Sequence, residues 1–254
     1  MKKLAVFSAM VALSFPSSHA LAVDLIGHAT AQQFQNVVAQ VSGVVENKPY
    51  QLGEAIQKGQ SLIVLEDNDF VLEVSRQKAN LELVKADLKI KNSIYSRYKE
   101  LRAKKSLSQH ELDISLADLQ AAKANVKLAQ IDLEQALDNL EHTQINSDID
   151  GYIVKRNVEQ GSWVEKGNLL YSVADVENII IRLLASEHDL TELSVGQELT
   201  VWSDVNPKIK VKSKIKRIGI NLDPTLLAYP IDIEIPNSNS LIKPGMSLHA
   251  STVN

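Results

Sequence analysis

The longest regular pattern in the chain is helical. Between residues 61 and 150 there is no glycine or proline, and Ala, Leu, Lys, Glu and Gln, all good helix formers, dominate. In its second half Leu112, Leu116, Leu119, Ala122, Val126, Ala129, Leu133, Ala136 and Leu140 recur at gaps of three or four, the spacing of a coiled-coil seam. The first half puts Leu72, Ala79, Leu83, Ala86, Ile90 and Leu101 in similar phase, interrupted by Arg76, Ser93 and Arg97. A second line of Val74, Leu81, Leu88 and Tyr95 runs beside it. The seam is disturbed over 104–111, where Ser108 followed by Glu111 has the form of a capping box and marks a new helix start. The pattern predicts two antiparallel helices of about 35 residues, ~50 Å each, with a turn near 104–107. The rival is one continuous helix in a parallel dimer.

On either side of this stretch the period changes. "GVVENKPYQLGEAIQKGQSLIVLED" (43–67) and "GYIVKRNVEQGSWVEKGNLLYSVAD" (151–175) align without a gap at an offset of 108 positions. Gly43 meets Gly151, Gly53 meets Gly161 and Gly59 meets Gly167; Lys58, Leu62 and Asp67 meet Lys166, Leu170 and Asp175. Glycine is selected where the backbone needs positive φ or close approach, so matched glycines imply matched turns. Each copy has too few strands to close a core. A hairpin between them returns the chain to where the second copy pairs with the first, which argues against the continuous helix.

After Asp175 the pattern is alternating β. "NIIIRLLAS", "QELTVWS", "KIKVKSKIKRIGI", "PIDIEIPN" and "MSLHASTV" read as strands, punctuated by Gly196, Asn206-Pro207, Asp223-Pro224 and Pro244-Gly245. "SEHDLTEL", with Ser186 and Asp189 as a capping box, reads as a short helix. Several short strands and one helix predict a small antiparallel barrel. The alternating "HATAQQFQNVVAQV" before Gly43 adds a strand to it. The fold class is therefore α+β and elongated: a split β domain with an inserted helical hairpin, then a barrel.

The first residues carry an address. "MKK", the apolar "LAVFSAMVALSF" and the small-x-small "ALA" ending at Ala22 form a secretory signal peptide over 1–22. The apolar run is about 12 residues, against the ~20 a membrane-spanning helix needs. The formal net charge of −4 gives no electrostatic case for nucleic acid. No cysteine is present, which excludes disulfides, thiol nucleophiles and a lipid-bearing cysteine at the cleavage site. The expectation is an exported protein of the periplasm with no lipid anchor.

Two matched β half-motifs, split by a helical hairpin and followed by a small barrel, resemble the periplasmic adaptors of tripartite efflux pumps, also called membrane fusion proteins. The resemblance covers roughly 24–254, and "IPNSNSLIKPGMSL" matches the family's barrel ending. It implies a lipoyl-like domain of 41–68 and 147–175, a hairpin over 69–146, a barrel over 176–254 and a barrel strand from 23–40. Adaptors of the resistance-nodulation-division class carry an Arg, a Leu four residues on and a Ser seven beyond at the hairpin tip; Arg97, Leu101 and Ser108 stand at that spacing. In the family these residues meet the outer-membrane channel. The plain alternative is an exposed arginine, a seam leucine and an N-cap serine. Many adaptors continue into a membrane-proximal domain; here the chain stops at Asn254, so that domain is expected to be absent or vestigial.

The chemistry-bearing residues point to no enzyme. A lipoate or biotin carrier displays its lysine on the turn between the halves, a place taken here by the hairpin; Lys58 and Lys166 sit within the halves. His28, His110, His142, His188 and His249 are dispersed without metal-ligand spacing. Glu66, Asp67 and Asp69 at a strand-to-helix junction suit helix capping and the helix dipole, and Asp148 and Asp150 suit a turn. The basic stripe of 208–217 is a solvated strand face or a patch for an acidic partner or lipid headgroups. No metal or cofactor is expected. The resemblance implies a non-enzymatic adaptor bridging an inner-membrane transporter and an outer-membrane channel to export drugs or other small molecules, in a homo-oligomeric ring of about six. The alternatives are an adaptor of an ATP-driven type I or macrolide-type exporter, and a coiled-coil scaffold without a transport role.

Overall fold

The computed structural model describes residues 23–47 and 49–252; the signal-peptide expectation for 1–22 lies outside them. These residues form two compact units, one of 31–177 and one of 23–30 with 178–252. Strands β1 (Asp24–Val38) and β8 (Leu169–Ala185) each contribute to both.

The unit of 31–177 holds the two half-motifs and the hairpin. Half one supplies β2 (Gly43–Val44), β3 (Ala55–Ile56) and β4 (Ser61–Val64), followed by α1 (Asn68–Ala103). After α2 (Gln109–Glu141) and β5 (Gln144–Asn146), half two supplies β6 (Gly151–Arg156), β7 (Trp163–Val164) and the start of β8. The halves pair crosswise. β2 pairs with β7 through Gly43↔Val164 and Val44↔Trp163, and β3 pairs with β6 through Ile56↔Gly151 and Ala55↔Tyr152. Each bridge becomes the other under the 108-residue offset, so the halves are related by a pseudo-two-fold.

The loop hydrogen bonds obey the same operator. Gly53 N donates to Ile153 O and Gly161 N to Val45 O, both at 2.8 Å; Gly59 N donates to Ser147 O and Gly167 N to Ala39 O, both at 2.7 Å. Even side chains follow: Lys58 N donates to Asp150 Oδ1 and Lys166 N to Ser42 Oγ. The symmetry thus reaches four residues upstream of the glycine-marked repeat. Four of the six matched glycines (53, 59, 161, 167) have φ between 75° and 93°, the left-handed region where a Cβ is penalised. The leading pair differs. A Cβ on Gly151 would lie 2.3 Å from Ala174 O, whereas one on Gly43 would meet only the Leu65 side chain at 3.4 Å.

The core between the halves is built of offset-related pairs: Val45 and Ile153, Ile56 and Val164, Leu62 and Leu170, Leu65 and Val173, with Ile63 facing the role of Tyr171. Tyr171 is the exception chemically. Among the described residues its hydroxyl alone is a side-chain polar group buried without a hydrogen-bond partner. Burial pushes its pKa up to about 12. An unpaired buried hydroxyl costs about 1–3 kcal/mol, so Tyr171→Phe is expected to raise stability in urea unfolding by about 1 kcal/mol. The folded state keeps the phenol neutral to about 12 while the unfolded chain ionises near 10. Its contribution is therefore complete below the unfolded value and lost as pH rises through the folded one, and Phe removes that alkaline loss. Unchanged or lower stability in Tyr171→Phe would show that the hydroxyl is satisfied.

The hairpin seam corrects one sequence reading. On α2 the buried residues are Ser115, Leu119, Ala122, Ala129 and Ala136, so Ser115 takes the place expected of Leu116. Its hydroxyl donates to Leu112 O at 2.7 Å, which lets a polar residue sit in the seam. On α1 the buried residues are Val74 and Leu81, with Leu88 and Tyr95 half-buried on the same line. The line expected to lead, Leu72, Leu83 and Ile90, is instead 67%, 69% and 58% exposed. Both lines have coiled-coil spacing, and only the position of α2 decides which is buried. Lys91 Nζ, donating to Asp118 Oδ2 at 2.9 Å, ties the two helices across the seam. The carboxylates at the start of α1 also depart from expectation: Asp67, the N-cap, has helical rather than extended φ/ψ and its side chain makes no capping bond.

In the second unit six strands close a barrel in the order β1–β12–β9–β10–β11–β8, with β1 pairing back to β8. The new strands are β9 (Glu198–Ser203), β10 (Asn206–Ile218), β11 (Tyr229–Pro236) and β12 (Ser247–Thr252). Alternation fills the interior with Leu183, Ile181, Leu199, Ile231, Ile233 and Leu248, all nearly inaccessible. The short helix expected near Ser186 is a single 3-10 turn, Asp189–Glu192, held by the expected Ser186–Asp189 bonds. Outside, Asp232 on β11 accepts from Arg182 Nε at 2.9 Å on β8 and Arg217 Nη2 at 3.0 Å on β10. Burial raises the Asp232 pKa, but the two guanidiniums outweigh it and hold the carboxyl below its ordinary value. The lysines of the basic stripe at 210, 212, 214 and 216 are exposed. Lys212 and Lys216 pair with Glu198 and Glu234.

Candidate functional site

The loop joining α1 to α2 is built by local backbone chemistry. α1 ends in a Schellman motif: Ser106 N donates to Leu101 O at 2.9 Å and Lys105 N donates to Arg102 O at 2.9 Å. That motif requires a left-handed residue, and Lys105 occupies it at φ 59°. Glycine is the usual residue there, so no sequence signal marked the position. Lys105→Gly should stabilise the hairpin by about 0.5–1 kcal/mol, read as a higher melting point of the helical signal. A lower melting point would mean that the lysine side chain holds the turn.

α2 opens on the expected capping box. Glu111 N donates to Ser108 Oγ at 3.2 Å, and Ser108 N donates to Glu111 Oε2 at 3.0 Å. The Ser108 hydroxyl also donates to that carboxylate, and its bond, with the amide's, holds the Glu111 pKa below the ordinary value. Arg102, which the sequence did not single out, ties the two helices at the turn. Its Nε donates to Gln109 Oε1 at 3.2 Å and its Nη1 to Leu107 O at 3.3 Å.

The sequence-marked residues are distributed around this turn. Arg97 and Leu101 stand one helical turn apart on α1, about 6 Å along the axis. Arg97 is exposed, with no hydrogen-bond partner among the described residues; Leu101 is half-buried, and Ser108 is exposed. The arrangement offers a free guanidinium, an apolar contact and a fixed hydroxyl on a pre-ordered loop. That suits recognition of backbone carbonyls or carboxylates on a protein surface. The six glycines lie away from the tip, at the turns and crossings of the half-motifs. The barrel also carries an apolar cavity of about 430 Å³ lined by Trp202, Val205, Ile235, Leu241 and Met246, which no sequence pattern marked.

The matched halves and the hairpin coincide with a known family: the CzcB-like barrel-sandwich hybrid domain matches residues 33–175. The chain belongs to the membrane fusion protein family. Among its relatives it is 27% identical over 244 residues to the multidrug efflux pump subunit AcrA of Escherichia coli K12. That match covers 91% of this chain and 62% of the relative. It is 25% identical over 233 residues to the macrolide export protein MacA of Escherichia coli O157:H7, covering 84% of this chain and 62% of that protein. In structure it superposes on MacA of Actinobacillus actinomycetemcomitans with a TM-score of 0.74 at 26% identity, over 91% of this chain and 78% of the other. This membrane fusion protein therefore spans 62% of the length of those two relatives. No helix among the described residues is long and apolar enough to cross a membrane.

Proposed function

We propose that this membrane fusion protein is the periplasmic adaptor of a tripartite efflux assembly, bridging an inner-membrane transporter and an outer-membrane channel to export drugs or other small molecules. The observation that carries the reading is the hairpin tip: a capped, pre-ordered loop presenting Arg97, Leu101 and Ser108, in a chain related to AcrA. The signal peptide of 1–22 exports the chain, no cysteine is available for a lipid anchor, and the transporter and channel hold it at the envelope. Arg97, Leu101 and Ser108 contact the channel, and copies of the chain form a ring of about six around the conduit. The protein does no covalent chemistry; the transporter supplies the energy. The Arg-Leu-Ser spacing favours a resistance-nodulation-division transporter. The structural likeness to MacA favours a second reading, an ATP-driven macrolide-type exporter.

Purification of the tagged chain from cross-linked envelopes tests the proposal. A proton-driven multi-helix transporter together with an outer-membrane channel is the expected result. An ATPase with the channel selects the second reading. Recovery of neither partner sinks the adaptor reading and returns the chain to a scaffold role.

A further inference from the structure

The segment 219–228, which joins β10 to β11, turns its apolar side chains to solvent. Ile220, Leu222, Leu226 and Leu227 are all exposed, Ile220 by 94% and Leu227 by 73%. A single exposed leucine is ordinary; four large aliphatic side chains on one short loop are not. Leu227 carries a second mark. Its φ is 49°, in the left-handed region that glycine or asparagine enters at lower cost. A leucine stands there and stays in solvent, so packing within the fold does not account for it.

Asp223 orders the tip. Its Oδ1 accepts from Thr225 N at 2.8 Å and from Leu226 N at 3.1 Å. Its carbonyl accepts from Leu227 N at 2.8 Å, and its amide donates to Ala228 O at 2.9 Å. Pro224 has no N–H, so every amide from Asp223 to Leu227 is satisfied inside the loop. Such a tip can leave water without orphaning backbone donors, the main cost of placing irregular chain in an apolar medium.

Cations lie beside it. Residues 218–221, where β10 runs into the loop, bound a cleft of about 440 Å³ whose other walls are Arg182, Arg217, Pro230 and Asp232. The Asp232 side chain is 11% exposed, whereas those of Arg182 and Arg217 are 46% and 61% exposed. One buried carboxylate serves two guanidiniums, so a positive charge is left over. Arg217 reaches Asp232 through Nη2, a fraction of its five donors. Lys216 pairs with Glu234, but Lys214, further down β10, is exposed and makes no ion pair among the described residues.

We propose that this end of the barrel docks on a phospholipid bilayer. Ile220, Leu222, Leu226 and Leu227 enter the boundary between headgroups and acyl chains, and Arg182 and Arg217 receive lipid phosphate in the cleft. Aliphatic side chains with cations beside them match a layer that is apolar inside and anionic at its face. A protein partner fits less well, because the cores of protein interfaces are enriched in aromatic side chains and 220–227 holds none. This contact involves neither the hairpin tip nor a transporter, so it stands apart from the adaptor reading.

The test is flotation of chain recovered from the periplasm with vesicles of phosphatidylglycerol and phosphatidylcholine in equal parts, or of phosphatidylcholine alone. Binding to the anionic vesicles is the expected result, about tenfold weaker on phosphatidylcholine and weakened by salt. Leu226→Asp with Leu227→Asp should lose about tenfold of it, and Arg217→Gln several-fold on the anionic vesicles only. Leu227→Gly discriminates further. It relieves the left-handed conformation, so the barrel should melt no lower by the emission of Trp202 on β9, yet vesicle binding should fall. No binding of the unsubstituted chain to anionic vesicles overturns the proposal. Binding that the leucine substitutions leave unchanged also overturns it, since the cations alone would then hold the surface. A loop that ignores vesicles but cross-links to a transporter belongs to a protein partner, and that result overturns it too while leaving the adaptor reading intact.

Discussion

Gly27→Ala should open the barrel. Gly27 lies on β1, the strand that pairs with both β12 and β8, and an added Cβ would stand 2.0 Å from Arg182 O and 2.6 Å from the Leu183 Cα. Both obstructing atoms are backbone, so no rotamer change relieves the contact. β1 must move off β8, and that pairing is what closes the ring of strands. Overpacking of this kind costs about 1–3 kcal/mol where side chains can yield, and more where they cannot. The expected result is a loss above ~3 kcal/mol confined to the barrel unit, with its amides exposed to hydrogen exchange and the helical signal of the hairpin retained. Gly196→Ala is the comparison: its Cβ meets nothing within 4 Å, but φ is 89°. Only the left-handed penalty of about 1–2 kcal/mol applies there. Equal melting of Gly27→Ala and the unsubstituted protein would mean that β1 does not close on β8.

Gly151→Ala and Gly43→Ala should behave differently although the two glycines are repeat-equivalent. At Gly151 the new Cβ would be 2.3 Å from Ala174 O and 3.1 Å from Asp175 N, again backbone, at the start of the β6–β8 ladder. At Gly43 it would touch the Leu65 Cβ at 3.4 Å, which a small shift of that side chain absorbs. Gly151→Ala is expected to cost more than ~3 kcal/mol and to weaken the packing between halves, and Gly43→Ala to cost under about 1 kcal/mol. Urea unfolding followed by tryptophan emission of Trp163, which lies on β7 paired with β2, compares the two directly. Equal losses would mean that the pseudo-symmetry holds at this pair too and that the crowding at Gly151 is relieved elsewhere.

The paired halves were legible because glycine leaves a trace. Positive φ at positions 53, 59, 161 and 167 excludes other residues cheaply enough that the offset survives in the letters. Ser108 was legible for a similar reason, since a capping box needs two specific side chains three residues apart. Other features leave no local trace. Lys105 holds a left-handed position with a residue common anywhere, and Arg102 spans the turn without a motif. Gly27 looks like any strand glycine until β8 is placed against it. The α1 seam was misassigned because two stripes of equal apolarity run along one helix, and burial is decided by a partner 27 residues away in sequence at the Lys91–Asp118 pair. The same degeneracy leaves Leu72, Leu83 and Ile90 exposed on the far side of α1.

The central claim is that the hairpin tip docks an outer-membrane channel. Its most direct measurement is binding of the purified full chain to that channel, unsubstituted and carrying Arg97→Asp with Ser108→Arg. The second substitution removes a cap worth about 1 kcal/mol, so Ser108→Asn, which keeps the cap, is run alongside to separate docking from helix stability. The account predicts that the double variant folds with unchanged helical signal, loses channel binding at least tenfold and no longer supports export, while Ser108→Asn keeps both. Full channel binding and export by the folded double variant would contradict it.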